Sequence, residues 1–186
     1  MLVSRLFVFS TCGANITIVI EDTTRLEYKH QSGALNESLA DCLGIMLKHW
    51  KLQQRDPNTA NWVIGSGMDY PYSNGIRSLK SPENYCQPRH MDEYDELGGE
   101  DNSGVHHNSG IPNRAFYLAA TKIGHPSWET VGTIWYKSMT DKQQVTPKAT
   151  FEAFAEVTIY HSPVEFKSQV RAAWEEVGVN TPALDI

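Results

Sequence analysis

The chain has 186 residues, with 16 basic and 22 acidic side chains, a formal net charge of −6, and 40% hydrophobic against 20% charged residues. That composition and length suit a globular domain with a sizeable core and argue against intrinsic disorder, while the acidic balance argues against a nucleic-acid partner, which selects for a basic face. No apolar run reaches the roughly 18 residues of a membrane-spanning helix, and Cys12, Cys42 and Cys86 allow one bridge at most, not a disulfide framework.

Residues 1–20 are apolar, β-branched and almost uncharged. Two readings stand side by side. Arg5 followed by Leu6-Phe7-Val8-Phe9 has the order of a secretion signal, although the apolar stretch is shorter than the usual run of about 7–15 residues. The other reading is a short β-strand pair, Leu2–Phe9 with Ile16–Ile20. Asn15-Ile16-Thr17 and Asn36-Glu37-Ser38 fit the glycosylation sequon, which counts only in a secreted protein. From residue 34 the pattern turns helical: Leu35, Leu39, Leu43, Met46, Leu47 and Trp50 fall on one face at three- and four-residue steps. Ser32 or Gly33 is the expected start, and Asp56-Pro57-Asn58 closes the region. Residues 57–109 are rich in Gly, Pro, Asn, Asp and Ser and show little periodicity, so they read as one long loop-rich insertion.

After residue 110 four further apolar stripes follow. They are carried by Ile111, Ala115, Leu118 and Ala119; by Trp128, Val131, Trp135 and Met139; by Phe151, Phe154, Ala155 and Ile159; and by Val164, Phe166, Val170, Trp174 and Val177. Ser162-Pro163-Val164-Glu165 predicts a capping box opening the last helix. The expected fold is mainly α: a helical bundle with a long loop-rich insertion, and a short N-terminal β segment on one reading of residues 1–20.

Two clusters carry possible chemistry. In Asn36-Glu37-Ser38-Leu39-Ala40-Asp41 the acids Glu37 and Asp41 are four apart and share one side of a helix. They stand in a run otherwise committed to burial, where an acid needs a cation, a metal or a proton; the alternative is a solvated flank of an amphipathic helix. In Asp101–Asn113, which contains His106 and His107, a histidine could stabilise a developing oxyanion with Asp101 fixing its tautomer; the alternative is a polar turn with two surface histidines.

With Tyr28, Ser32–Asp41, Trp62, Ile64-Gly65, Ile76–Leu79, Gly104-Val105-His106, Asn108–Ile111, Lys122–Gly124, Gly132–Tyr136, Ala149–Ala155 and Val177-Gly178-Val179 in this order, residues 24–179 resemble the C-terminal domain of the thermolysin family of zinc metalloendopeptidases. Pro88 and His90-Met91-Asp92 resemble its protealysin-like branch. The resemblance divides the chain into a divergent segment, 1–23, and a thermolysin-like metallopeptidase C-terminal domain, 24–186, of helical-bundle type. It implies that Glu37 is a zinc ligand and that Asp41 orients a zinc-bound histidine. It further implies that His106 and Tyr28 serve the oxyanion with Asp101 behind His106. Arg77 and Asn36 are expected on the substrate, and Ile64, Met68 and Ile76 in an apolar pocket for a bulky side chain after the scissile bond. Peptide or protein substrates, and protein inhibitors, are the implied partners; neither nucleic acid nor membrane is expected. The family is mostly secreted, which leaves the compartment of this chain open.

The sequence departs from the family in two ways. Counting back from Glu37, the two zinc histidines fall on Gly13 and Thr17 and the general base on Ala14, and no H-E-x-x-H motif occurs in the chain. One carboxylate does not make a catalytic zinc site, which takes about three protein ligands and an open position. The chain as written is therefore expected to be inactive alone, either as a piece of a zinc endopeptidase or as a pseudoenzyme that still holds peptides or an inhibitor. Residues 1–20 are expected to cover part of the apolar helix face that the family's zinc helix normally covers. At the family's double calcium site stand Lys48, Asn61, Val63 and Ser66, too poor in carboxylates for a hard cation, so no calcium is expected there. An unrelated metal site built from Cys86, His90, His106 and His107 fits no standard spacing.

Overall fold

The run from Leu35 to Trp50 folds into one long helix, α1 (His30–Lys51), in a computed structural model that describes residues 23–67 and 74–181. After it come β1 (Val63–Ser66), β2 (Asn74–Ser78), α2 (Asp101–Asn108), α3 (Gly110–Ile123), α4 (Thr130–Thr140), α5 (Phe151–His161) and α6 (Lys167–Glu175). The expected mainly α bundle is thus present. The secretion-signal and strand-pair readings of residues 1–20, the covering role expected of them, and the positions Gly13, Ala14 and Thr17 lie outside the described residues. No described helix is long and apolar enough to cross a membrane.

Two element boundaries differ from expectation, each because a serine hydroxyl found another acceptor. The start of α1 is His30 rather than Ser32 or Gly33. Ser32 does not cap: its hydroxyl donates to the carbonyls of Glu27 and Lys29, both at 2.8 Å, and ties the incoming chain to the first turn. At the other end of the chain no capping box forms. The Ser162 hydroxyl turns back to the carbonyl of Thr158 at 2.7 Å, so Ser162 finishes α5. A 3₁₀ turn at Val164–Phe166 leads into α6, and Val164 is exposed rather than part of the core stripe.

The segment 57–109 is not all loop. It contains the antiparallel pair β1–β2, in which Val63 faces Ser78, Ile64 faces Arg77 and Ser66 faces Asn74, with a bulge between Ile64 and Ser66. Strands of four and five residues holding Gly65 and Gly75 carry too little alternation to be read from sequence. The hairpin is tied to the end of α1 by the Lys48 ammonium, which donates to Asn61 Oδ1 (3.1 Å), the Val63 carbonyl (2.7 Å) and Ser66 Oγ (2.9 Å). Burial pulls the Lys48 pKa down to about 8.

Helix α1 runs through the middle of the bundle and packs on α2, α3, α4, α5 and β1, while α3 packs on α6. Every residue from Ser32 to Cys42 is buried. The core behind it is aromatic. Trp135 stacks on Trp174 with ring centroids 5.9 Å apart, and Phe116 and Phe154 meet these rings edge-on. The Trp174 indole N–H, buried with the ring, donates to Thr158 Oγ1 at 2.8 Å.

His49 is one of the buried titratable groups of this scaffold. It is 0% exposed, with Trp62 edge-on at 4.6 Å. Its Nε2 lies 3.0 Å from the Asn61 carbonyl, an acceptor only, so Nε2 carries the proton and Nδ1 accepts from the Ser127 hydroxyl at 2.8 Å. Burial, opposed by the Asn61 carbonyl and aided by the Lys48 charge, takes the pKa from 6.5 to about 4. The unfolded chain therefore binds this proton first as pH falls. Stability held above pH 6.5 is lost between 6.5 and about 4, by roughly 3 kcal/mol for a shift of this size. His49→Gln is expected to be less stable than the parent at pH 7.5 yet to lose less between pH 6.5 and 4, measured by urea unfolding across that range. Equal losses in both proteins would refute the assignment.

Candidate active site

The polar face of the first half of α1 is where the sequence-predicted residues meet. The chain before the helix crosses close over its first turn. A Cβ on Gly33 would lie 2.5 Å from Val105 Cγ1 and 2.9 Å from the Tyr28 carbonyl carbon, so glycine alone lets α2 and the Tyr28 turn approach together. This approach brings the Tyr28 hydroxyl over the helix, where it donates to Glu37 Oε1 at 2.5 Å. Glu37 is 6% exposed and Asp41 is 5% exposed. The solvated-flank reading of these two acids is therefore excluded, and each has the partner that burial demands.

Asp41 is held from two sides. Its Oδ1 accepts from the Arg77 guanidinium at 2.8 Å and its Oδ2 from the Asn113 amide at 2.9 Å. The charge of Asp41 is the main reason that the Arg77 pKa rises above its already high ordinary value, against the effect of burial. The pair joins β2 to α1, and Asn113 adds α3. On the hairpin, Ile64 stands across from Arg77, and Ile76 packs on the core from beside it. Met68 lies outside the described residues.

His106 comes from α2, whose start is unusual. Asp101, Asn102, Ser103 and Gly104 have φ of 51°, 49°, 66° and 77°, a left-handed turn that only glycine adopts freely. Three of these residues carry side chains, at a cost of about 1–2 kcal/mol each. Such strain persists where its surroundings fix it. Here the Asn108 amide clasps one residue of the preceding loop: its Oδ1 accepts from Asp95 N–H at 3.1 Å and its Nδ2 donates to the Asp95 carbonyl at 2.7 Å. A Cβ on Gly104 would sit 2.6 Å from both that Nδ2 and that carbonyl.

The left-handed turn places the Asp101 carboxylate under the right-handed part of α2. Oδ2 accepts from the N–H groups of His106 (2.9 Å) and His107 (3.3 Å), while Oδ1 lies 2.5 Å from His106 Nδ1. Burial pushes the Asp101 carboxyl up. The hydrogen bond and charge of His106 and the two backbone N–H groups outweigh it and hold the carboxyl below the usual range. An ionised Asp101 accepts only, so Nδ1 carries a proton and Nε2 is aimed at the site. Nε2 lies 3.1 Å from the Tyr28 hydroxyl and 3.5 Å from Glu37 Oε2. Asp101, His106, Tyr28 and Glu37 therefore form one chain of contacts; residues 101–113 are helical rather than a plain turn, while His106 stays half exposed, as the surface-histidine alternative has it.

Two buried polar groups of this site have no partner among the described residues: the Asn36 amide, at both its oxygen and its nitrogen, and Arg77 Nε. Among the described residues no three His, Cys, Asp or Glu side chains are grouped to hold a metal ion. Glu37 is a single carboxylate already bonded to Tyr28, so the described residues do not by themselves fit a zinc ion. Cys86, His90, His106 and His107 are not gathered into a site either; the His90 ring packs where a Cβ on Gly178 would stand. Sequence reasoning gave no role to Asn113, Asn108, Ser109 or Gln87. The first three stand inside the motif Asp101–Asn113, where their polarity was visible but not their direction. Gln87, in the aperiodic segment, gave no signal.

The family model described as the thermolysin metallopeptidase alpha-helical domain matches residues 24–179. The chain is 44% identical over 176 residues to an extracellular metalloprotease of Pectobacterium carotovorum subsp. carotovorum, covering 87% of this chain and 50% of that protein. It is 40% identical over 183 residues to Protease PrtS of a Photorhabdus strain, covering 90% of this chain and 49% of that one. Among solved structures, the precursor of protealysin, a metalloproteinase from Serratia proteamaculans, superposes with a TM-score of 0.81 at 40% identity, over 87% of this chain and 54% of that chain. The chain thus spans about half the length of these relatives.

The Arg77–Asp41 pair supplies a direct test of the geometry, because removing one member leaves the other charge buried. Arg77→Ala is expected to lower the unfolding free energy by about 3–5 kcal/mol. Arg77→Met combined with Asp41→Asn is expected to recover much of that. A loss below about 1 kcal/mol for Arg77→Ala, the range of surface pairs, would show that the pair does not anchor β2 to α1.

Proposed function

The chain belongs to the thermolysin metallopeptidase family, and on that footing we propose that it is the C-terminal, oxyanion-stabilising half of a zinc endopeptidase that cleaves before bulky apolar residues. The observation that carries this reading is the convergence of the Tyr28 hydroxyl, His106 Nε2 and the Glu37 carboxylate on one point, with Asp101 fixing the far side of the imidazole. Hydrolysis of an amide develops negative charge on its carbonyl oxygen. Preorganised donors aimed at that oxygen lower the barrier most when they need no reorientation. Tyr28 Oη, once its hydrogen turns from Glu37, and His106 Nε2, when both ring nitrogens carry a proton, are proposed as these donors. Arg77, held by Asp41, and Asn36 are proposed to hold the substrate backbone, with Ile64, Ile76 and Met68 lining the pocket beyond the scissile bond.

The unpaired Asn36 amide and Arg77 Nε favour a site completed by a further segment, since an orphaned buried polar group costs about 1–3 kcal/mol. Glu37 would supply one ligand of the zinc that the family implies. The chain alone is proposed to lack hydrolytic activity. The purified chain is expected to show no one-to-one zinc binding by calorimetry and no cleavage of a peptide carrying a bulky apolar residue. Cleavage in zinc-loaded protein that His106→Ala abolishes would overturn the inactivity. An in-frame H-E-x-x-H segment upstream of Met1 in the genome would support the piece-of-an-enzyme reading over the pseudoenzyme.

Calcium is proposed to be absent from the family's double site. The Lys48 ammonium already takes three oxygens there, with no carboxylate among them. Millimolar calcium is expected to leave the melting temperature unchanged in a thermal scan; a clear rise that is lost on disrupting Asn61 and Ser66 would contradict this.

A further inference from the structure

We propose that Gln87 is a positioning residue for His106, acting through the peptide unit that joins His106 to His107. The carbonyl of that unit is the acceptor: Gln87 Nε2 donates to His106 O at 2.6 Å, and Ser109 Oγ donates to it at 2.8 Å. The N–H on the other side of the same unit belongs to His107 and donates to Asp101 Oδ2. A peptide unit is planar and rigid, so holding its carbonyl fixes the direction of its N–H. Gln87 thus sets from behind the plane on which Asp101 is seated, and Asp101 in turn holds His106 Nδ1.

The orientation of the Gln87 amide follows from chemistry. The His106 carbonyl only accepts, so the nitrogen must face it, and its second proton goes to Ser109 Oγ at 3.1 Å. The oxygen, Gln87 Oε1, is left buried without a partner among the described residues. Both donors are in use while the acceptor is orphaned, which is the pattern of a side chain kept for what its nitrogen does. The turn that carries Gln87 is pressed against the junction of α2 and α3: a Cβ on Gly110 would lie 2.5 Å from the Pro88 carbonyl and 2.8 Å from Gln87 Cβ. Helix α2 ends there, so the His106 carbonyl has the exposed-terminus problem of any helix end, and the two side-chain donors answer it.

The inference rests on His106 being the working histidine of the site, but its test reads position only, by NMR on the full labelled chain. Gln87→Met, which keeps the shape and removes both donors, is expected to move the His106 Nδ1–H resonance upfield. It is also expected to speed exchange of the His107 amide by about tenfold beyond the change in global stability. Ser109→Ala, a milder change, is expected to give the same two effects in smaller degree and decides the matter if Gln87→Met does not fold. Ser127→Ala, which removes the bond to His49 away from this site, should destabilise without either effect. Unmoved resonance and exchange in a folded Gln87→Met, or in Ser109→Ala, would overturn the proposal, and so would equal effects in Ser127→Ala. Because no turnover is measured, such a failure leaves the peptidase reading intact, and a failure of that reading leaves these signals interpretable.

Discussion

Two carboxylates buried one turn apart on the central helix are the constraint to which the rest of the site answers. A buried, unpaired carboxylate is far more costly than any single packing contact gains, so α1 can keep Glu37 and Asp41 only if other segments bring donors to them. Asp41 draws in Arg77 from β2 and Asn113 from α3. Glu37 draws in Tyr28 from the turn before α1 and lies within reach of His106 from α2. Four separate pieces of chain are thereby fixed on one helix face. The arrangement is expensive and specific, which is how a binding or catalytic centre differs from a stable core.

Strain is distributed in the same way. The left-handed turn at Asp101–Gly104 places Asp101 and His106 where a relaxed backbone would not, and the close pass of Tyr28 over Gly33, open only to a residue without a Cβ, places the Tyr28 hydroxyl. The compensation comes from side-chain amides rather than from regular hydrogen bonding. Asn108 clasps Asp95, Asn113 holds Asp41, and Gln87 holds the His106 carbonyl. An amide is suited to this task because it is neutral: it adds direction near buried acids without adding another charge to desolvate.

How much of this could be read in the sequence follows from which interactions are local. The helices after residue 110 and the body of α1 were legible because burial repeats at the helical period. Their ends were not, since Ser32 and Ser162 have capping-type sequences yet bond to carbonyls of the preceding chain. The hairpin was hidden by short strands and glycines. At the site, Glu37, Asp41, Asp101 and His106 were visible as types in an order resembling a family. The direction of Arg77 toward Asp41 spans 36 residues, and that of Tyr28 toward His106 spans 78. Nothing periodic connects such pairs, and for Gln87 not even the residue type stood out.

The line from Asp101 through His106 and Tyr28 to Glu37 is drawn by contacts among the described residues. The Asn36 amide is different: it is as deeply buried as its neighbours but meets no donor or acceptor among the described residues. The helix face thus satisfies Glu37 and Asp41 from within the described domain and leaves the adjacent amide open. Asn36 lies beside Glu37 in the sequence, so on the proposed peptidase reading a partner for that amide would arrive next to the carboxylate that the reading gives to zinc.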